Sequence, residues 1–176
     1  MIRSKMNKLL LIVMGLFTSI ISFAQTNDKE VKIPEEKFVV VESSADDKPA
    51  IIVVNTSLRK FKHKKLYCWT CSLIIQFKET SMNGMPTIEE SNFVYDYIEG
   101  LDKIIKGDAT QPNALYLARI TWNGTCEVIW QVKDPKMVHE YLGGIINTET
   151  YPRELDYRIE FDEKWEKVSV YNNIKP

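Results

Sequence analysis

Cys68-Trp69-Thr70-Cys71 is the segment of this chain whose residue types and spacing announce chemistry. Two thiols three positions apart are the layout of a dithiol redox centre or of half a zinc site. A redox pair needs its first sulfur at the start of a helix, where the dipole stabilises the thiolate. Here Ser72-Leu73-Ile74-Ile75 follows, which reads as continuing strand. In a strand, residues three apart point to opposite faces with Cα atoms about 10 Å apart, beyond the roughly 7 Å reach of a disulfide. A zinc site asks for a second pair, and only Cys126 remains. Cys68, Cys71 and Cys126 are therefore candidates for redox chemistry, for a Cys71–Cys126 or Cys68–Cys126 disulfide between neighbouring strands, or for plain buried thiols.

Other reactive residue types are sparse. His63 and His139 are the two histidines, the first inside a basic run and the second off the apolar stripe of a helix. No serine sits in a nucleophile-elbow context, no carboxylate pair has a spacing that compels acid–base use, and no glycine pattern suits phosphate. We therefore expect no catalytic residue, metal ligand or cofactor. Asn55-Thr56-Ser57 and Asn123-Gly124-Thr125 match glycosylation sequons, the second better explained as a turn. Aromatics are plentiful. Arg119, Trp122 and Trp130 lie on strands, and an exposed cluster of aromatics and arginine is the usual composition of a binding surface.

The first 24 residues read as an address. Arg3, Lys5 and Lys8 precede an apolar run from Leu9 to Phe23, and Ser22 and Ala24 put small side chains before a cut at Gln25. The run falls short of the roughly twenty apolar residues of a membrane span. No cysteine lies at the cut, which argues against a lipoprotein. The chain is thus expected to be exported, periplasmic or secreted, with no stable membrane insertion after cleavage. Removing 24 of 176 residues leaves 152, one ordinary domain, and the loss of three positive charges takes the net charge from −1 to −4. That balance gives no electrostatic reason to expect nucleic acid. The dense basic run Arg59, Lys60, Lys62, His63, Lys64, Lys65 reads as a solvated loop or strand edge, with a patch for an acidic partner or anionic membrane as the other option.

The elements that must position these residues follow from pattern. Residues 25–36 are polar and read as a flexible linker, and 37–176 as a single α+β domain. Phe38 to Val41 and Ala50 to Asn55 are β-branched runs around a turn, Ser44 to Pro49, and form a hairpin. Lys65 to Phe77 is the longest strand candidate, with Tyr67, Trp69, Cys71, Leu73, Ile75 and Phe77 on its apolar face. Ile88, Val94, Ile98, Leu101 and Ile105 make a helical stripe, opened by a capping box of Thr87 and Glu90 and stopped by Gly107. Ala114 to Trp122 and Thr125 to Val132 are strands joined at Asn123-Gly124. Asp134-Pro135 starts a weaker helix containing Gly143 and Gly144, and Glu154 to Asp162 alternates as a strand. Trp165, Val168 and Tyr171 suggest a short docked helix, or else an edge strand. From Lys65 onward the order is strand, helix, strand, strand, helix, strand. That is the ferredoxin-like split βαβ plait, with helices on one sheet face, an added N-terminal hairpin and a short C-terminal element. The opposite face of the strands bearing Arg119, Trp122 and Trp130 is then solvated, covered by the hairpin or offered to a partner.

Several of these segments share the order of a known family. Asp46-Asp47-Lys48-Pro49-Ala50 before a β-branched strand, Glu90 and Ile98-Glu99 in the helix, the run Tyr116 to Gly124, and closing Tyr157-Arg158-Ile159 and Trp165 resemble domain-of-unknown-function family 695. The resemblance spans roughly Phe38 to Tyr171 and implies an α+β domain with no established catalytic residues. That family is also similar to B-type regulators of ribonuclease E, which act by binding a protein. The export signal and the lack of a strongly acidic composition separate this chain from such regulators. The expected function is a non-catalytic interaction domain using an open sheet face or edge toward a protein partner, as monomer or dimer. A thiol-disulfide oxidoreductase using Cys68 and Cys71 is the alternative.

Overall fold

The computed structural model describes residues 31–172 and 174. The expected leader, residues 1–24, and the start of the expected linker, 25–30, lie outside the described residues. Residues 31–36 are extended chain, with Val31 and Ile33 packed on the domain.

β1 (Phe38–Ala45) and β2 (Lys48–Asn55) form the N-terminal hairpin. Asp46 and Asp47 both take left-handed φ, 51° and 58°, the geometry of a two-residue turn whose twist matches that of the strands. The expected six-residue turn narrows to two because pairing continues up to Ala45 and Lys48. Asn55 is buried, its amide donating to the Tyr116 carbonyl at 3.0 Å and its oxygen accepting from the Ser57 hydroxyl at 2.7 Å. That leaves the first sequon without an accessible asparagine.

Two 3-10 turns, Thr56–Lys60 and Lys64–Leu66, carry the basic run. They shorten the next strand, β3 (Trp69–Gln76), which starts four residues later than its alternation suggests. Cys71, Leu73 and Ile75 share its fully buried face, as expected.

α1 (Ile88–Lys106) starts with the Thr87 hydroxyl accepting the Glu90 N–H at 3.2 Å and ends at Gly107, φ 66°. Only half of the capping box forms. Glu90 turns inward to other partners, and the Thr87 N–H donates to the Glu79 carbonyl instead. Ile88 is 75% exposed and drops out of the stripe, which begins at Glu90 and continues through Val94, Ile98, Leu101 and Ile105.

β4 (Ala114–Trp122) and β5 (Thr125–Val132) meet at Asn123-Gly124, both left-handed, with the expected bounds. In α2 (Pro135–Asn147) the Asp134 carboxylate accepts the Lys136 N–H at 3.0 Å. β6 (Leu155–Phe161) and a single-turn α3 (Ser169–Asn172) close the chain.

The result is a mixed α+β domain with a six-stranded, wholly antiparallel sheet in the order β1-β2-β4-β5-β3-β6. The hairpin extends the sheet beside β4 rather than covering it. One core lies between the sheet and α1 and α2, built from Cys71, Leu73, Val94, Leu101, Trp130 and Leu142 among others. A second core occupies the opposite face, where Leu58, Phe61, Tyr67, Trp165 and Val168 pack on Val54, Leu117, Ala118 and Ile129. This corrects the expectation of an open central face. The non-helical stretches after β2 and β6 carry large apolar side chains at irregular spacing, and they make a third layer.

Candidate binding surfaces

Two of the three cysteines are buried in the sheet and lie apart. Cys71 is fully buried opposite Trp130 on one side and Ile159 on the other. Burial pushes its thiol, and that of Cys126, up to about 12, so neither supplies thiolate near neutral pH. Cys126 faces Ile75, four residues along β3 from Cys71. At roughly 3.3 Å per residue that offset is about 13 Å, far outside disulfide reach. Cys68 lies before β3, farther still, its carbonyl accepting the Asp162 N–H at 2.7 Å. All three are free thiols, and the register rules out the disulfide alternative while fitting the plain buried thiols at Cys71 and Cys126. Among the described residues no group of His, Cys, Asp or Glu could hold a metal ion.

Arg119, Trp122 and Trp130 do not share a surface. Trp130 is wholly buried under α1 and donates its indole N–H to Asp102 at 2.8 Å. Arg119 also points to the helix side, its guanidinium 3.5 Å from the Tyr95 ring centroid and its Nε buried without a hydrogen bond. Trp122 faces the other way and donates to the Ala45 carbonyl at 3.0 Å. Arg119 and Trp122 are three apart on β4, so alternation alone sets them on opposite faces, while a bulge between Tyr116 and Ala118 brings Arg119 to the same side as Tyr116. One extra residue reverses the phase of the side chains beyond it.

What remains open is the hairpin. Phe38 and Val40 lie opposite Asn55 and Val53, on the helix side of the sheet, and α1 does not extend over them; they are 47% and 64% exposed. Ile51 and Val53 beside them are half-buried, and Arg119 pairs across from Val53 at the rim. β1 is also a sheet edge of eight residues. In a two-residue hairpin the flanking pair exchanges hydrogen bonds, so Ala45, Ser43, Val41 and Val39 bond to β2. The inward Lys37 carbonyl, which accepts the Thr56 N–H at 2.7 Å, keeps that phase. Ser44, Glu42, Val40 and Phe38 therefore turn their N–H and C=O groups outward. The edge at β6 differs, since Asp156, Arg158 and Glu160 put charge along it.

Concavities adjoin the described N-terminal segment and the tail. A groove of about 590 Å³ lies between Ile33–Glu36, the end of α1 and the loop into β4. Lys106 sits on its wall, 2.8 Å from both Glu36 and Asp102. A polar cleft of about 130 Å³ holds Ser72, whose hydroxyl donates to Glu127 at 2.5 Å, beside Arg158, Lys167 and Tyr171.

Two contacts were not signalled by spacing. Glu90 and Arg153 form a buried pair between the start of α1 and the loop before β6. His139 presents Nδ1 to the Tyr157 hydroxyl at 2.7 Å, tying α2 to β6. Both join residues far apart in sequence, where local pattern carries no information.

Comparison with curated proteins and with solved structures gives no match. A family model does match, over residues 36–171, which takes in every strand and both long helices. The chain belongs to the Family of unknown function (DUF695).

Proposed function

We propose that this is an exported, non-catalytic binding domain that takes an extended segment of a protein partner along β1, as a seventh strand. The observation that carries it is the outward row of backbone groups on Phe38, Val40, Glu42 and Ser44 beside an uncovered apolar patch. Added strands draw affinity from the main chain and selectivity from alternate side-chain contacts. Here Phe38, Val40 and the Arg119 rim would supply those contacts. The underlying scaffold is read as a ferredoxin-like plait. The order β4-β5-β3-β6, with α1 and α2 as crossovers on one face, supports that reading. The leader-like N-terminus supports export.

The test is a Val40→Pro variant screened against a library of short β-branched peptides. Proline removes an N–H that no internal bond uses, so thermal stability should hold while binding disappears. Bound peptide should protect the Phe38, Val40 and Glu42 amides from hydrogen exchange. Binding that survives Val40→Pro, or that leaves those amides unprotected, rules out the edge.

A further inference from the structure

The basic run closes around a cleft on the side of the molecule away from α1 and α2. Lys60 ends the first 3-10 turn, and Phe61, Lys62 and His63 continue from it. Lys32 and Pro34 approach from the N-terminal segment, and with Ser57 they complete a depression of about 380 Å³. Three lysines and a histidine converge there, and no aspartate or glutamate lines it. Six lysines elsewhere are matched: Lys65, Lys103, Lys106, Lys136, Lys164 and Lys167 each lie against a carboxylate. Among the described residues, Lys32, Lys60 and Lys62 have no such partner. Phe61 forms the floor, itself anchored in the second core against Trp165 at 6.0 Å between ring centroids.

Cations gathered in a concave site repel one another and concentrate positive potential at its mouth. Lysine ammonium groups on flexible stems act as point charges and can gather on the several oxygens of a phosphate. A volume of this size admits a small charged group. We infer that this cleft binds a phosphate-bearing ligand, with Lys32, Lys60 and Lys62 neutralising it and Ser57 and His63 at its rim. Free phosphate esters and phospholipid headgroups present the same chemistry. This site is separate from the β1 edge and does not depend on it.

The probes are inorganic pyrophosphate, followed by amide shifts in NMR, and phosphatidylglycerol-containing vesicles, followed by co-sedimentation. Lys60→Gln/Lys62→Gln is compared with Lys136→Gln/Lys164→Gln, which removes equal charge elsewhere. We expect saturable binding that shifts the Ser57, Lys62 and His63 amides. The cleft variant should weaken it by about 25-fold, roughly fivefold per ammonium group, and the control should not. Pyrophosphate binding alone identifies a soluble ester as the source, and vesicle binding alone a headgroup. No binding of either probe, or equal weakening by both variants, overturns the site.

Discussion

The Glu90 carboxylate accepts two hydrogen bonds from Arg153, at 2.7 and 2.8 Å, and a third from the Lys78 amide at 2.8 Å. Its side chain is 3% exposed and that of Arg153 19%, so solvent screens the pair little. The guanidinium also lies 4.3 Å from the Phe93 ring centroid. Removing one member leaves the other charge buried. Arg153→Met should cost about 3 kcal/mol in urea unfolding, whereas Lys103→Met, whose partner Glu99 is exposed, should leave the urea midpoint nearly unchanged. The Arg153 hydrogen bonds hold Glu90 below the usual carboxylate range. A depressed acid stabilises the fold above its unfolded pKa, and that contribution disappears as pH falls through its folded value. Melting temperature should therefore fall with acidification below about pH 5, and Glu90→Gln should flatten this limb; an unchanged acid slope in the variant would contradict the assignment. Spacing after Thr87 marks Glu90 as a capping residue, and only half of that is realised, because Arg153 lies 63 positions away. Likewise the alternation of β4 was readable, but the bulge at Leu117 was not. It sets the facing of Arg119 against the first half of the strand, whereas pairing from Asn123-Gly124 sets it against Trp130.

Among elements, the two long helices and both hairpins are legible because caps and turns are local chemistry: Thr87, Asp134-Pro135, Gly107 and Asn123-Gly124 occupy the positions that their types favour. The glycines of α2 divide on contact. A Cβ at Gly144 would meet nothing within 4 Å, whereas one at Gly143 would sit 3.2 Å from the Tyr157 hydroxyl. That hydroxyl is held by His139, so it cannot retreat without losing the 2.7 Å contact. Gly144→Ala should stabilise the domain by up to about 1 kcal/mol. Gly143→Ala should gain less or lose, and the pair of urea midpoints separates the two cases. Equal gains would show that Tyr157 yields freely. Gly143 is thus a packing requirement that composition registers only as a helix weakness.

At the scale of the whole molecule, the sheet is enclosed on both sides over its centre, and the hairpin alone projects past the helices. The second layer of cover depends on Trp165, which is 1% exposed at φ 61° and donates its indole N–H to the Tyr67 carbonyl at 2.8 Å. Asp162 fixes the approach by accepting the Glu166 and Lys167 amides at 2.8 and 3.0 Å. Trp165→Ala should cost about 3–5 kcal/mol and raise binding of a hydrophobic dye, while Trp165→Phe, which keeps the ring stack on Phe61, should cost less. Dye binding unchanged in the alanine variant would mean that the tail is not what seals this face. Three-step spacing after β6 pointed to a docked tail, yet nothing in the order of strands and helices foretold that the 3-10 segments would join it. Their apolar residues follow no period, and periodicity is what a sequence displays.

The sealed thiols have a practical consequence. With Cys71 and Cys126 inside the core and unbonded, a thiol reagent can modify them only when the sheet and helices part, whereas Cys68 is half-exposed. The native chain thereby carries two internal clocks for its own opening, one on each of two adjacent central strands, readable without any engineered label.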